Sequence, residues 1–215
     1  MISVSLIERS LDSKDHDRLV RELSDNGLNL PLSLRMTLAD SESAVSGLSL
    51  RRLVDLTYGP TLLSKRLDEM LFAAQDDEGR FLGSDQSESD PLVLAAALSG
   101  LAHQQAEHLA SQNDQRLCSA LEKGFAALAL QQDCDGLFTS PRDRTLNDRA
   151  LTTAFVVRLL GANANFRSAI RIFDLRDWFE TNDHRLDRQS RDFWELASIS
   201  LLDLPEPAQV GVAAA

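Results

Sequence analysis

The chain has 215 residues, a formal net charge of -11 and 43% hydrophobic residues. That is enough apolar material for a full core and too much for a disordered chain. The acidic balance argues against a general binder of nucleic acid or anionic membrane, because phosphates are repelled.

Cys118 and Cys134 are the two cysteines, with no CxxC pair, which argues against a disulfide scaffold or a zinc site. Residues 1–9 carry no basic region ahead of Glu8, unlike a secretory signal. The longest apolar run, 92–102, is too short for a bilayer and includes Ser99 and Gly100. These features predict a soluble cytoplasmic protein.

Taken in order, the chain reads as all-helical. Period-two alternation is confined to residues 2–6, and Leu, Ala, Arg, Glu and Gln dominate. A first helix starts over 15–24, with Leu19, Val20 and Leu23 on one face, and stops at Asp25-Asn26-Gly27. A short helix is suggested at 32–38. Asp40 to Ser43 resembles a cap for a stronger helix over 43–56. Gly59-Pro60 breaks the chain before a helix at 62–74, where Lys65, Arg66, Asp68 and Glu69 are expected to face water. An apolar helix over 92–102 follows. Residues 117–130 are amphipathic and 150–160 again apolar. A helix over 166–180 and a start at Asp192 complete the pattern. Residues 204–215 are expected as a flexible tail.

An internal repeat underlies this alternation. Gln75, Asp76, Gly79 and Phe81 match Gln132, Asp133, Gly136 and Phe138, and Asp90 aligns with Asp148 ahead of the apolar helices. A degraded copy places Asp192 in the same role, and Asp25-Asn26-Gly27 followed by Asp40 suggests another. The reading is one domain over 1–203, made of about four helical hairpins (15–57, 60–102, 115–160, 166–203) in two curved layers. Amphipathic helices lie outside and apolar helices inside, each pair burying what it cannot hide alone. The glycine serves a sharp turn, the phenylalanine a plug between pairs. The aspartates serve as caps facing the positive helix end.

Gln-x-x-x-Gly-x-Phe before an Asp-headed apolar helix resembles the repeat of the terpenoid cyclase and protein prenyltransferase superfamily. The match is good over 62–102 and 117–160 and weak elsewhere. The resemblance implies a partial (α/α) toroid, an open arc of four pairs instead of six. It also implies what to look for chemically. The family's Asp-x-Asp-Asp acid has its nearest string in Gln75-Asp76-Asp77-Glu78, which lies in the repeat loop. Its Asp, Cys and His zinc ligands have no matching set, since Cys134 falls in the wrong part of the repeat.

His103 and His108 are five apart and do not form an i, i+4 metal pair. Cys134 beside two acids is a poor nucleophile. No catalytic residue, metal or cofactor is assigned. Arg142, Arg144 and Arg149, with Arg185 and Arg188 in the next copy, form a basic rim if corresponding loops gather. The rim could hold a diphosphate or an acidic protein segment; the alternative is pairing with neighbouring aspartates. Trp178 and Trp194 read as core plugs or interface anchors.

The expected function is that of a non-catalytic helical-repeat protein binding another protein, as an adaptor or regulatory module. The alternative is an isoprenoid-binding protein, or a cyclase- or prenyltransferase-like enzyme, with an apolar cavity and an arginine rim. A homodimer that completes the ring is a third option.

Overall fold

The computed structural model describes residues 13–39, 44–58, 62–81, 90–108 and 115–202. Among these it is all-α, without strands. The expected cap at Asp40, the break at Gly59-Pro60, the alternating residues 2–6 and the tail at 204–215 lie outside the described residues.

The described residues form ten α-helices: α1 (Ser13–Leu23), α2 (Leu32–Ala39), α3 (Ala44–Tyr58), α4 (Leu62–Ala74), α5 (Pro91–His108), α6 (Gln115–Ala129), α7 (Leu146–Leu160), α8 (Ala164–Ala169), α9 (Ile172–Asn182) and α10 (Arg188–Ser198). The single outer helix expected over 166–180 is split into α8 and α9. The break falls at Ile170, which is extended (φ -96°, ψ 161°).

Helices α3, α5, α7 and α10 pack side by side in that order. Helix α4 lies against α3 and α5, α6 against α5, and α8 against α6. The apolar helices are covered on all sides. Every residue from Leu92 to Leu98 in α5, and from Ala150 to Val157 in α7, is buried. Seven or eight consecutive buried residues exceed one and a half turns, so these helices have neighbours all round. For α7 those neighbours include α5, α10 and also α2, which belongs to the first pair. Helix α2 thus stays packed on α1 of its own pair while also reaching α7 of the third, and Asn29 and Pro31 face α10 across a groove.

The two repeat loops share one construction. Gln75 bridges to Phe81 and Gln132 to Phe138, each antiparallel. Asp76 accepts from the N–H groups of Glu78 and Arg80, and Asp133 from those of Asp135 and Leu137. Gln75 donates to the Gly79 carbonyl at 3.1 Å, and Gln132 to the Gly136 carbonyl at 2.6 Å. Gly79 and Gly136 have φ of 87° and 81°, a region costly for any residue with a Cβ. Burial opposes the Asp76 charge, yet hydrogen bonds from the Arg80 backbone and guanidinium and from Glu78 hold its carboxyl below the ordinary range.

Each loop also bonds forward to the next outer segment. Gln75 donates to the Ala120 carbonyl of α6 at 3.0 Å. The Gln132 side-chain oxygen accepts from the Arg171 N–H at 2.8 Å, and the Arg171 guanidinium reaches the Gln132 and Asp133 carbonyls. Phe138 stacks on Phe166 of α8, centroids 6.4 Å apart.

One expectation about the surface is overturned. Asp68 does not face water; it is 1% exposed. Its carboxylate takes a two-pronged bond from Arg52, with Nε at 2.7 Å and Nη2 at 3.2 Å. Arg52 also donates to Asp55 at 3.1 Å, and Ser64 donates to Asp55. A charged group leaves water only with partners of this kind. The guanidinium stem needs room, which Gly100 of α5 supplies: a Cβ there stands 2.6 Å from Arg52 Cγ.

Candidate functional site: the rim at the inner-helix heads

The heads of α5, α7 and α10 meet at one rim. Asp90 caps α5, accepting from the Leu92 N–H at 2.9 Å, and its other oxygen accepts from the Ser140 hydroxyl at 2.7 Å. Thr145 and Asp148 form a reciprocal capping box on α7. Asp187 caps α10 through the Ser190 N–H at 2.7 Å, and its own N–H donates to Asn147 at 3.0 Å. The head of the fourth inner helix is therefore Asp187 and not Asp192. Helix α10 begins four residues before Asp192, which lies exposed on it, 3.5 Å from Arg188.

The five arginines expected at the rim are differently engaged. Arg149 pairs with Asp133 and, at 3.5 Å, with Asp135. Arg142 donates to the Thr37 carbonyl of α2 at 2.9 Å, and Arg185 to Asn182 at 2.9 Å. Arg144 is exposed, and its backbone N–H donates to Asp148. Arg188 is 90% exposed on its side chain and pairs with Asp192. The carboxylates capping the helix heads occupy the positions an incoming phosphate would use, since both seek the same N–H groups.

Asp143 sits at the centre of this rim. It accepts from the Ser140 N–H at 2.8 Å and the Thr152 hydroxyl at 2.9 Å. Burial pushes its pKa up to about 6; the Ser140 and Thr152 hydrogen bonds oppose this, and the Asp90 and Asp148 charges add to it.

Beside the rim lies a groove of about 330 Å³, lined by Asn29, Pro31, Arg188, Gln189, Asp192, Phe193 and Leu196. It separates the connection into α2 from the outer face of α10. Leu32 and Met36, one turn apart on α2, are 59% and 60% exposed, and Leu196 is 41% exposed. Trp178 is buried, while Trp194 is half-buried and stacks on Phe179 with centroids 3.7 Å apart. Trp194 thus joins α10 to α9, and Trp178 meets Phe179 edge-on within α9.

No family model, curated protein or solved structure matches this chain.

The rim offers two exposed apolar side chains and a groove bordered by Arg188 and Asp192, with the Asp143 pKa pushed up to about 6. Among the described residues, no group of three or more His, Cys, Asp or Glu could hold a metal ion. No helix of the described residues is long and apolar enough to cross a membrane. Sequence reasoning expected Arg142 and Arg188 at this rim and a helix over 32–38, but not that Ser140, Asp143, Thr152 and that helix meet there. Asp143 was visible only as the acid between two arginines. Thr152 and Thr153 were visible as polar interruptions of an apolar helix, and both are buried. Thr153 accepts from the Phe138 N–H and donates to its carbonyl.

Proposed function

We propose that this chain is a non-catalytic helical-repeat protein that binds another protein, as a cytoplasmic adaptor or regulatory module on a prenyltransferase- or terpene-cyclase-like repeat. The observation that carries the reading is the surface of α2. Leu32 and Met36 stand exposed one turn apart, and Pro31, next to Leu32 in the chain, lines a groove with Phe193 and Leu196. Adjacent exposed apolar side chains beside a concavity are the usual anchor points of a protein interface. The two repeat loops, alike down to individual hydrogen bonds, support a shared ancestry of the pairs and a scaffold role for them.

The isoprenoid reading has less behind it. The apolar helices α5 and α7 are packed all round instead of lining a cavity, and the helix heads already hold carboxylates. The test is a photo-crosslinking side chain at position 36, gentle capture from the protein's own cells, and native mass spectrometry. A discrete crosslinked protein, lost on Met36→Glu in a folded variant, is the expected result. Twice the chain mass identifies a homodimer as that partner. The same captured set with Met36→Glu refutes the surface. Stabilisation by a prenyl diphosphate, lost on Arg144→Ala or Arg188→Ala, replaces the proposal with the isoprenoid one.

A further inference from the structure

The turn 140–143 ties three elements together. Ser140 reaches Asp90 at the head of α5, Asp143 reaches Thr152 on α7, and Arg142 reaches the Thr37 carbonyl on α2. The Ser140 hydroxyl also accepts from the Arg142 N–H at 3.3 Å, which closes the turn on itself. Asp143 is thus the part of the turn whose charge decides how well it sits. Of its two carboxylate neighbours, Asp90 comes from α5 and Asp148 from the first turn of α7. The other charged groups on described elements packed around it are Arg142, Arg144 and Arg149 of its own segment, Arg35 on α2, and Asp187 and Arg188 at the head of α10. Asp85 and Glu88, ahead of Asp90, lie outside the described residues.

We propose that the turn 140–143 is a proton-operated latch on α2. With Asp143 neutral, the turn is seated on α5 and α7 and holds α2 through Arg142. With Asp143 charged beside Asp90 and Asp148, turn and helix loosen together. Among the described hydrogen bonds, the Arg142–Thr37 bond is the one that ties the turn to α2, and the proposed latch acts through it although α2 also packs on α7. A group held at about 6 when seated and near its ordinary 3.8 when released binds its proton more tightly in the seated state. The seated state is therefore favoured at low pH and loses that advantage as pH rises through 6. Because α2 carries Leu32 and Met36, partner binding then becomes pH-dependent. That consequence rests on the proposed function; the latch does not.

The experiment is hydrogen exchange of the full chain from pH 5 to pH 7.5, corrected for intrinsic exchange and read in peptides covering 32–39 and 138–145. Two pKa values of about 6 and 3.8 give a loss of protection of about tenfold across that range. Asp143→Asn flattens the step in both peptides. Arg142→Ala keeps it in 138–145 and removes it from 32–39. Thr152→Val, which deletes a hydroxyl favouring the charged carboxylate, moves the midpoint to higher pH and serves if Asp143→Asn fails to fold. No step in the wild-type chain, a step that survives Asp143→Asn, or one that persists in 32–39 after Arg142→Ala overturns the latch. Since no partner is present, this failure is distinct from failure of the binding proposal.

Discussion

Replacing each repeat glycine by alanine separates backbone strain from crowding. Gly79 and Gly136 occupy equivalent positions with nearly equal φ, 87° and 81°. Strain from placing a Cβ in this region costs about 1–2 kcal/mol and is common to both. Their surroundings differ. A Cβ on Gly79 collides with the backbone of Lys123 and stands 2.7 Å from the Gly124 nitrogen, on a helix that cannot yield locally. A Cβ on Gly136 stands 3.0 Å from Asp174 Cβ and the Leu175 nitrogen, close enough to need only a shift of tenths of an ångström. Overpacking of the first kind adds about 1–3 kcal/mol. Gly79→Ala is therefore expected to cost about 2–5 kcal/mol and Gly136→Ala about 1–2 kcal/mol. Gly27, at φ 109° with nothing within 4 Å of its Cβ, supplies the strain-only reference. Urea unfolding with matched m-values measures all three. If Gly136→Ala costs as much as Gly79→Ala, the close approach of the first loop to α6 is not what the glycine serves.

At pH 7.5, Asp143→Asn is expected to stabilise the chain. The shift from 3.8 to about 6 sets a ceiling of about 3 kcal/mol, and partial solvation brings the gain to roughly 1–2 kcal/mol. The wild type gains stability as pH falls from 7.5 toward 5 relative to the variant, so melting curves of the two converge at low pH; parallel curves sink the argument. Arg52→Ala leaves Asp55 and Asp68 buried without their cation and is expected to cost about 3–5 kcal/mol in chemical unfolding. A cost near zero places the triad in water. Gln132→Ala removes the bonds to Gly136 and Arg171 and is expected to cost about 1–2 kcal/mol, measurable as a lower urea midpoint. Met36→Glu, on an exposed helix face, is expected within about 0.5 kcal/mol of wild type while abolishing partner capture.

What the sequence showed well was local. Gln75, Gly79 and Phe81, and their counterparts in the second copy, form a motif of seven residues held by its own bridge and turn hydrogen bonds, so spacing alone revealed it, though not its forward bonds to Ala120 and Arg171. The helices are legible for the same reason, since propensity and period act over a few residues. Asp68 was misread because Lys65, Arg66 and Glu69 surround it in sequence, while its partner Arg52 lies in the preceding helix. Asp192 was misread because α10 starts earlier than its apolar residues suggest; the capping residue is set by where Asp187 can reach the Ser190 N–H. The rim was foreseen as a gathering of arginines. Its organising group is instead Asp143, whose neighbours Asp90 and Thr152 come from two different helices. No periodicity reports such a meeting, nor the passage of α2 to α7.

A stack of helix pairs in which each touches only the next behaves as a line, able to fray from either end. Residues 29–39 change that topology. They carry the first pair's connection to α7 and to the groove face of α10, so the line is tied back on itself. Opening the third pair then also strips cover from the first, so parts far apart in the chain share one fate. Such a chain is expected to unfold more cooperatively, and to fold more slowly, than an untied array of the same length, because distant segments must meet before either is secure.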